Sequence, residues 1–134
     1  MKVIAINNSS VNVPRIMLSG IFLISGINHV MFPEHVAKHL MESNVYDQFL
    51  YFINAEILVF ATGFGLFTGG LLLLLNFFTR KVSIILMVLL VPITISVQLQ
   101  GWQTAGPLFK NIAIAGGLLF FIINNFEKTK TEKI

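Results

Sequence analysis

An all-α integral membrane protein is the predicted fold class: a bundle of four transmembrane helices with a short amphipathic helix after the first span. Three observations predict it. Of the 134 residues, 55% are hydrophobic and 11% charged, against about 25% charged in an ordinary soluble domain. The apolar residues gather into four runs, each near the roughly 20 residues a helix needs to cross a bilayer. Lys and Arg stand singly or in pairs at the ends of these runs, a pattern of membrane topology rather than of a nucleic-acid surface. A chain of this length suits one domain, residues 1–134.

The first span is expected over about residues 16–32, with Pro14 and Arg15 at its start. Its 17 residues make about 25 Å of helix, enough for most of the hydrocarbon core. An Arg before an apolar stretch also suits a signal peptide. The segment is long for that, and no small-residue cleavage site precedes Asn28 and His29. After Pro33, Val36, Ala37, Leu40, Met41 and Val45 recur at helical spacing while His35, Lys38, His39 and Glu42 take the other side. That reads as an amphipathic helix lying on the membrane surface.

The second span, about residues 55–78, carries one charge, Glu56, near its beginning. Thr79, Arg80 and Lys81 then form a tight turn into the third span, about residues 82–99. Pro92 lies inside that span and deprives the Val88 carbonyl of its donor, which Thr94 or Ser96 can help to satisfy. A polar loop from Gln98 to Gly106 leads to Pro107, and the fourth span is expected over about 107–126. This draws Lys110 and Asn111 to one interface, where a lysine can reach the headgroups.

Orientation follows from the basic residues. With the N-terminus inside, Lys2, Arg15, Arg80, Lys81, Lys128, Lys130 and Lys133 are cytoplasmic, and only Lys38 and Lys110 fall outside. Seven against two places both termini in the cytoplasm. Tyr46, Tyr51 and Trp102 then fall on the outer side, as part of an interfacial aromatic belt.

Few side chains suit chemistry. Cysteine is absent, which excludes disulfides, thiolate metal sites and dithiol relays formed by this chain itself. On the second helix Glu56, Gly63 and Gly70 share one stripe, with Thr62, Gly65, Gly69 and Asn76 roughly opposite. Two small-residue faces imply two helix neighbours, and Gly65 with Gly69 permits close approach. These four glycines are the helix-packing candidates, inside the bundle or at a dimer face.

Glu56 is a candidate ligand or proton site, or else an interfacial carboxylate. His29 lies toward the same outer end, so a His29–Glu56 contact is geometrically open. Gln98 and Trp102 complete a candidate ligand-binding set with these two. Haem held by two histidines within spans is excluded for one chain, since His29 is the only one there. His35 and His39 are four residues apart but lack a third ligand, so no metal site is assigned. No phosphate loop, nucleophile elbow or nucleic-acid module is present.

Three strings resemble the DoxX family of small bacterial membrane proteins. They are Arg15 with SGINHVMFP at residues 25–33, GGLLLLLNFFTR at 69–80, and KNIAIAGGLL at 110–119. The resemblance implies four helices in the bacterial cytoplasmic membrane and kinship with the membrane subunit of thiosulfate:quinone oxidoreductases and with partners of detoxification enzymes. Many relatives carry an acid where Leu66 stands and Lys where His29 stands, so no catalytic residue is transferred. The expected role is an accessory subunit or scaffold of a redox or detoxification system, without catalysis of its own, acting with a protein partner or as a homo-oligomer. The alternative is an oxidoreductase component that binds quinone or a similar apolar ligand, with no covalent cofactor. A small transporter ranks last, since inverted repeats and intramembrane charges are scarce.

Overall fold

Asn7 starts the first helix: its side chain accepts the Ser9 amide at 3.1 Å, relieving one of the unpaired donors of a helix N-terminus. The structure, a computed structural model, describes residues 6–43, 46–98, 103 and 105–124. Helix α1 runs Asn8–Met31, so it begins well before Pro14 instead of at it. Pro14 fits because only the carbonyl of Ser10 loses its i+4 donor, and Ser10 is exposed. The helix stops at Phe32, which leaves the helical region at φ −129° and ψ 56°, as the following Pro33 disfavours the α conformation there.

Pro33 opens α2, Pro33–Met41, at a position where its missing amide costs nothing. Ala37 and Leu40 are buried against Ala55 and Val59, while Glu34, His35, Lys38, His39 and Met41 are exposed. A short π-helical turn, Tyr46–Leu50, follows. The Tyr46 hydroxyl, assigned from the sequence to an aromatic belt, donates to the Ile53 carbonyl at 2.7 Å and ties this loop across its own base. Tyr51 is exposed.

Helix α3, Ala55–Leu74, is capped by Asn54, whose side chain accepts from the amides of Glu56 (2.9 Å) and Ile57 (3.4 Å). It ends four residues before the expected 78. Asn76 takes a left-handed φ of 60°, its amide bonds Leu73 O at 3.2 Å, and the Phe77 amide bonds Leu72 O at 3.0 Å. This is a Schellman ending, with Asn in the place glycine usually fills. The turn is therefore residues 75–78, and Thr79, Arg80 and Lys81 belong to the first turn of α4, Thr79–Gln98. Helix α5, Ala105–Ile123, starts two residues before Pro107 and ends before 126. Residues 99–102 and 104, with Trp102 among them, and the tail 125–134 lie outside the described residues.

The largest helix pair is α1 with α3, followed by α4 with α5, α3 with α4, and α2 with α3. One core joins all four long helices: Leu18 and Phe22 of α1, Leu66 and Leu73 of α3, Val82, Leu86 and Leu90 of α4, and Ile114, Leu118 and Phe121 of α5. Outside this core the surface is as apolar as the inside. Met17, Ile24, Phe64, Val88 and Phe109 are all more than 60% exposed. An apolar exterior around a packed bundle is the arrangement a lipid solvent selects. Helices α1, α3 and α5 are each long and apolar enough to cross a membrane, and α4 matches α3 in length at 20 residues.

The α1–α3 contact is backbone to backbone. A Cβ on Gly26 would lie 2.5 Å from the Phe67 amide nitrogen, and one on Gly63 would lie 2.5 Å from the His29 Cβ. Gly70 sits against Leu23 and Phe22, so the two helices run antiparallel. Gly63→Leu is expected to lower the melting midpoint in detergent by an amount equivalent to at least about 1–3 kcal/mol of overpacking. Gly20→Leu, where nothing lies within 4 Å, is expected to leave that midpoint within about 0.5 kcal/mol.

Candidate functional site

His29 is positioned by the glycine seam. Its Cβ faces Gly63, where any larger residue would displace it. The ring turns back along its own helix, and Nδ1 meets the Ser25 carbonyl at 2.7 Å. A carbonyl only accepts, so Nδ1 carries the hydrogen and Nε2 of the neutral ring is left as an acceptor. The side chain is half-buried.

Glu56 does not meet it. Gly63 is level with His29, and Glu56 lies seven residues earlier on α3, about 10 Å along the axis. Glu56 is exposed, and no hydrogen bond or ion pair joins it to His29. Its carboxylate occupies the first turn of α3, where the helix dipole favours negative charge. Gln98 is the last residue of α4, with its side chain outside the description, and Trp102 lies outside it altogether. Among the described side chains, His29 and Glu56 are therefore not brought together.

The glycines of α3 divide between two neighbours. Gly63 and Gly70 receive α1, while Cβ atoms on Gly65 and Gly69 would meet Leu89 and Leu86 of α4 at 3.1 Å and 2.6 Å. Both faces are thus occupied within the chain.

Other polar side chains in the helices close on backbone carbonyls. Ser19 donates to Ile16 O (2.7 Å), Thr62 to Leu58 O (2.7 Å) and Thr94 to Leu90 O (2.8 Å). The Thr94 hydroxyl thus serves the carbonyl four residues back, not the Val88 carbonyl freed by Pro92. Among the described residues one side-chain bond crosses between helices: Asn111 Nδ2 donates to Thr94 Oγ1 at 3.0 Å. Asn111 is only 6% exposed and turned toward α4, while its neighbour Lys110 is exposed. Their register, one residue apart on a helix, puts them on different faces.

A cleft of about 470 Å³ opens at the α1–α2 corner, lined by Met31, Phe32, Pro33, Glu34, His35 and Lys38. Among the described residues, neither His29 nor Glu56 lines it. The signal in the sequence was Pro33 itself, which forces the corner where apolar and charged side chains meet. His35 and His39 stack edge to face at 5.7 Å, and His39 Nδ1 lies 3.9 Å from Glu42. Among the described residues no group of three potential metal ligands converges.

The DoxX family model matches residues 11–99. The chain belongs to the DoxX family. The match takes in α1, the α2 corner, α3 and α4 up to residue 99, and so includes the glycine seam and His29. No curated protein and no solved structure matches the chain. The DoxX chain is a membrane protein, and its apolar helix exteriors contact the bilayer.

The interhelical Asn111–Thr94 bond can be weighed by a double-mutant cycle. Thr94→Val and Asn111→Leu, alone and combined, are expected to give a coupling of about 0.6 kcal/mol and no more than about 1.7 kcal/mol in detergent unfolding, the range of such bonds in membranes.

Proposed function

We propose that the protein is an accessory subunit or scaffold of a membrane-associated redox or detoxification system, without catalysis of its own. The observation that carries this reading is the separation of His29 from Glu56, together with the closure of the Ser19, Thr62 and Thr94 hydroxyls on carbonyls of their own helices. Catalysis needs reacting groups converged within hydrogen-bond reach. A chain without cysteine also lacks the thiols that would relay electrons. What remains is a bundle with broad apolar flanks, suited to hold a partner or another copy of itself.

In this reading four helices cross the cytoplasmic membrane of a bacterium and both termini face the cytoplasm. The distribution of Lys and Arg supports the orientation, and α4 crosses as the third of the four spans. A reporter active only in the cytoplasm is expected to be active when fused after residue 134 or residue 78, and silent when fused after residue 45.

A second reading, a component that binds quinone or a similar apolar ligand, draws on the cleft at the α1–α2 corner and the unpaired Nε2 of His29. Affinity purification in mild detergent from native membranes separates the two. The scaffold reading expects a redox protein to co-purify in stoichiometric amount, unaffected by Glu56→Gln or His29→Gln. Recovery of the chain alone, or a bound quinone that both substitutions remove, would favour the second reading.

A further inference from the structure

The described carboxylates lie at one end of the bundle, together with Lys38 and Lys110. Glu34 and Glu42 lie on or beside α2, Asp47 in the π-helical turn and Glu56 in the first turn of α3. The opposite end, formed by the first half of α1, the turn 75–78 and the start of α4, holds Arg15, Arg80 and Lys81 and no acid among the described residues.

Arg15 is half-buried, and its Nε is buried without an acceptor. It occupies the inward stripe of α1, three residues before Leu18 and seven before Phe22, both in the core. Counting along the antiparallel pair from Leu23 against Gly70 places it level with the turn 75–78, about 12 Å from that contact. A guanidinium carries a fixed positive charge, and burying one of its donors unpaired is unfavourable. The other buried side-chain donor without a partner among the described residues, Ser83 Oγ, lies in the second turn of α4 in the same half of the bundle.

The start of α4 has the same deficit. Phe78, whose carbonyl accepts the Val82 amide, is the N-cap and offers no side-chain oxygen. Thr79 gives its hydroxyl hydrogen to Asn76 Oδ1 instead, at 2.8 Å. The first turn has no acid but has Arg80 and Lys81, which the helix dipole disfavours there unless an anion is present. Around these cations the surface is apolar: Leu75 and Phe77 are 56% exposed and Phe78 is 70% exposed.

We propose that this end of the bundle is a binding site for the phosphate of an anionic phospholipid. Arg15 is the half-buried anchor, the amides of the first turn of α4 and the side chains of Arg80 and Lys81 surround the phosphate, and Leu75, Phe77 and Phe78 receive the acyl chains. A free phosphate would satisfy the cations but leave the apolar rim uncovered, so the lipid is the favoured source. The inference needs only that the chain resides in a membrane, and it does not depend on the accessory-subunit reading.

Native mass spectrometry of the full chain in neutral detergent, titrated separately with phosphatidylglycerol, phosphatidylcholine and inorganic phosphate, tests it. Phosphatidylglycerol is expected to bind in preference to the other two. Arg15→Gln is expected to weaken it at least about fivefold, as is Arg80→Gln, in line with the contribution of one cation near an anionic surface. Lys110→Gln, at the opposite end, is expected to leave binding unchanged. Should Arg15→Gln fail to fold, the exposed Arg80→Gln and Lys81→Gln variants carry the test. Equal binding of phosphatidylcholine, displacement of the lipid by inorganic phosphate at similar concentration, or full retention in the Arg80→Gln and Lys81→Gln variants would overturn the proposal. So would phosphatidylglycerol binding that rises when Glu127→Gln removes an acid of the chain's own tail, since that acid would then be the natural occupant.

Discussion

The contact on which the rest of the molecule depends is the approach of α1 and α3 at Gly26, Gly63 and Gly70. Lipid tails are as apolar as leucine, so helices in a bilayer gain little from hiding apolar side chains from water. Close packing has to supply the association, and here the side chains have been removed from the contact on both sides. The consequences run outward from that seam. It brings His29 against Gly63, leaves the other face of α3 free for Leu86 and Leu89 of α4, and aims α1 so that Pro33 can fold α2 back onto Ala55 and Val59.

Much of this was legible in the sequence, because spacing along a helix reports faces. The two glycine stripes of α3 follow from 100° per residue, and the amphipathic pattern from Val36 to Leu40 marks α2. Helix ends were less legible. Composition runs unbroken from Leu71 to Phe78, and the stop comes from one backbone angle, the left-handed φ of Asn76. At the other extreme Asn8 to Val13 look too polar for a span, yet Asn7 caps them into the same helix as the apolar run. Hydropathy marks where a bilayer is crossed, and capping marks where the helix begins and ends.

Sites were harder still. His29 and Glu56 lie toward one end in any antiparallel arrangement, but whether they touch depends on register, and register is set by which glycine meets which helix. Gly63 at the level of His29 leaves Glu56 two turns beyond it. The Asn111–Thr94 bond depends in the same way on the pairing of α4 with α5. Among the described residues the carboxylates lie at one end, while Arg15, Arg80 and Lys81 stand at the other without an acid, which gives those ends different chemistry.

The seam itself can be tested directly, because the chain contains no cysteine. A Cβ on Gly70 would lie 3.1 Å from the Cβ of Phe22, close to the separation a disulfide spans. Oxidation in membranes of the Phe22→Cys, Gly70→Cys double variant is expected to link most of the chain within single molecules, while Phe22→Cys with Gly65→Cys, on the face turned to α4, stays unlinked. Equal linking of both pairs, or links only between separate chains, would contradict the glycine seam as the organising contact.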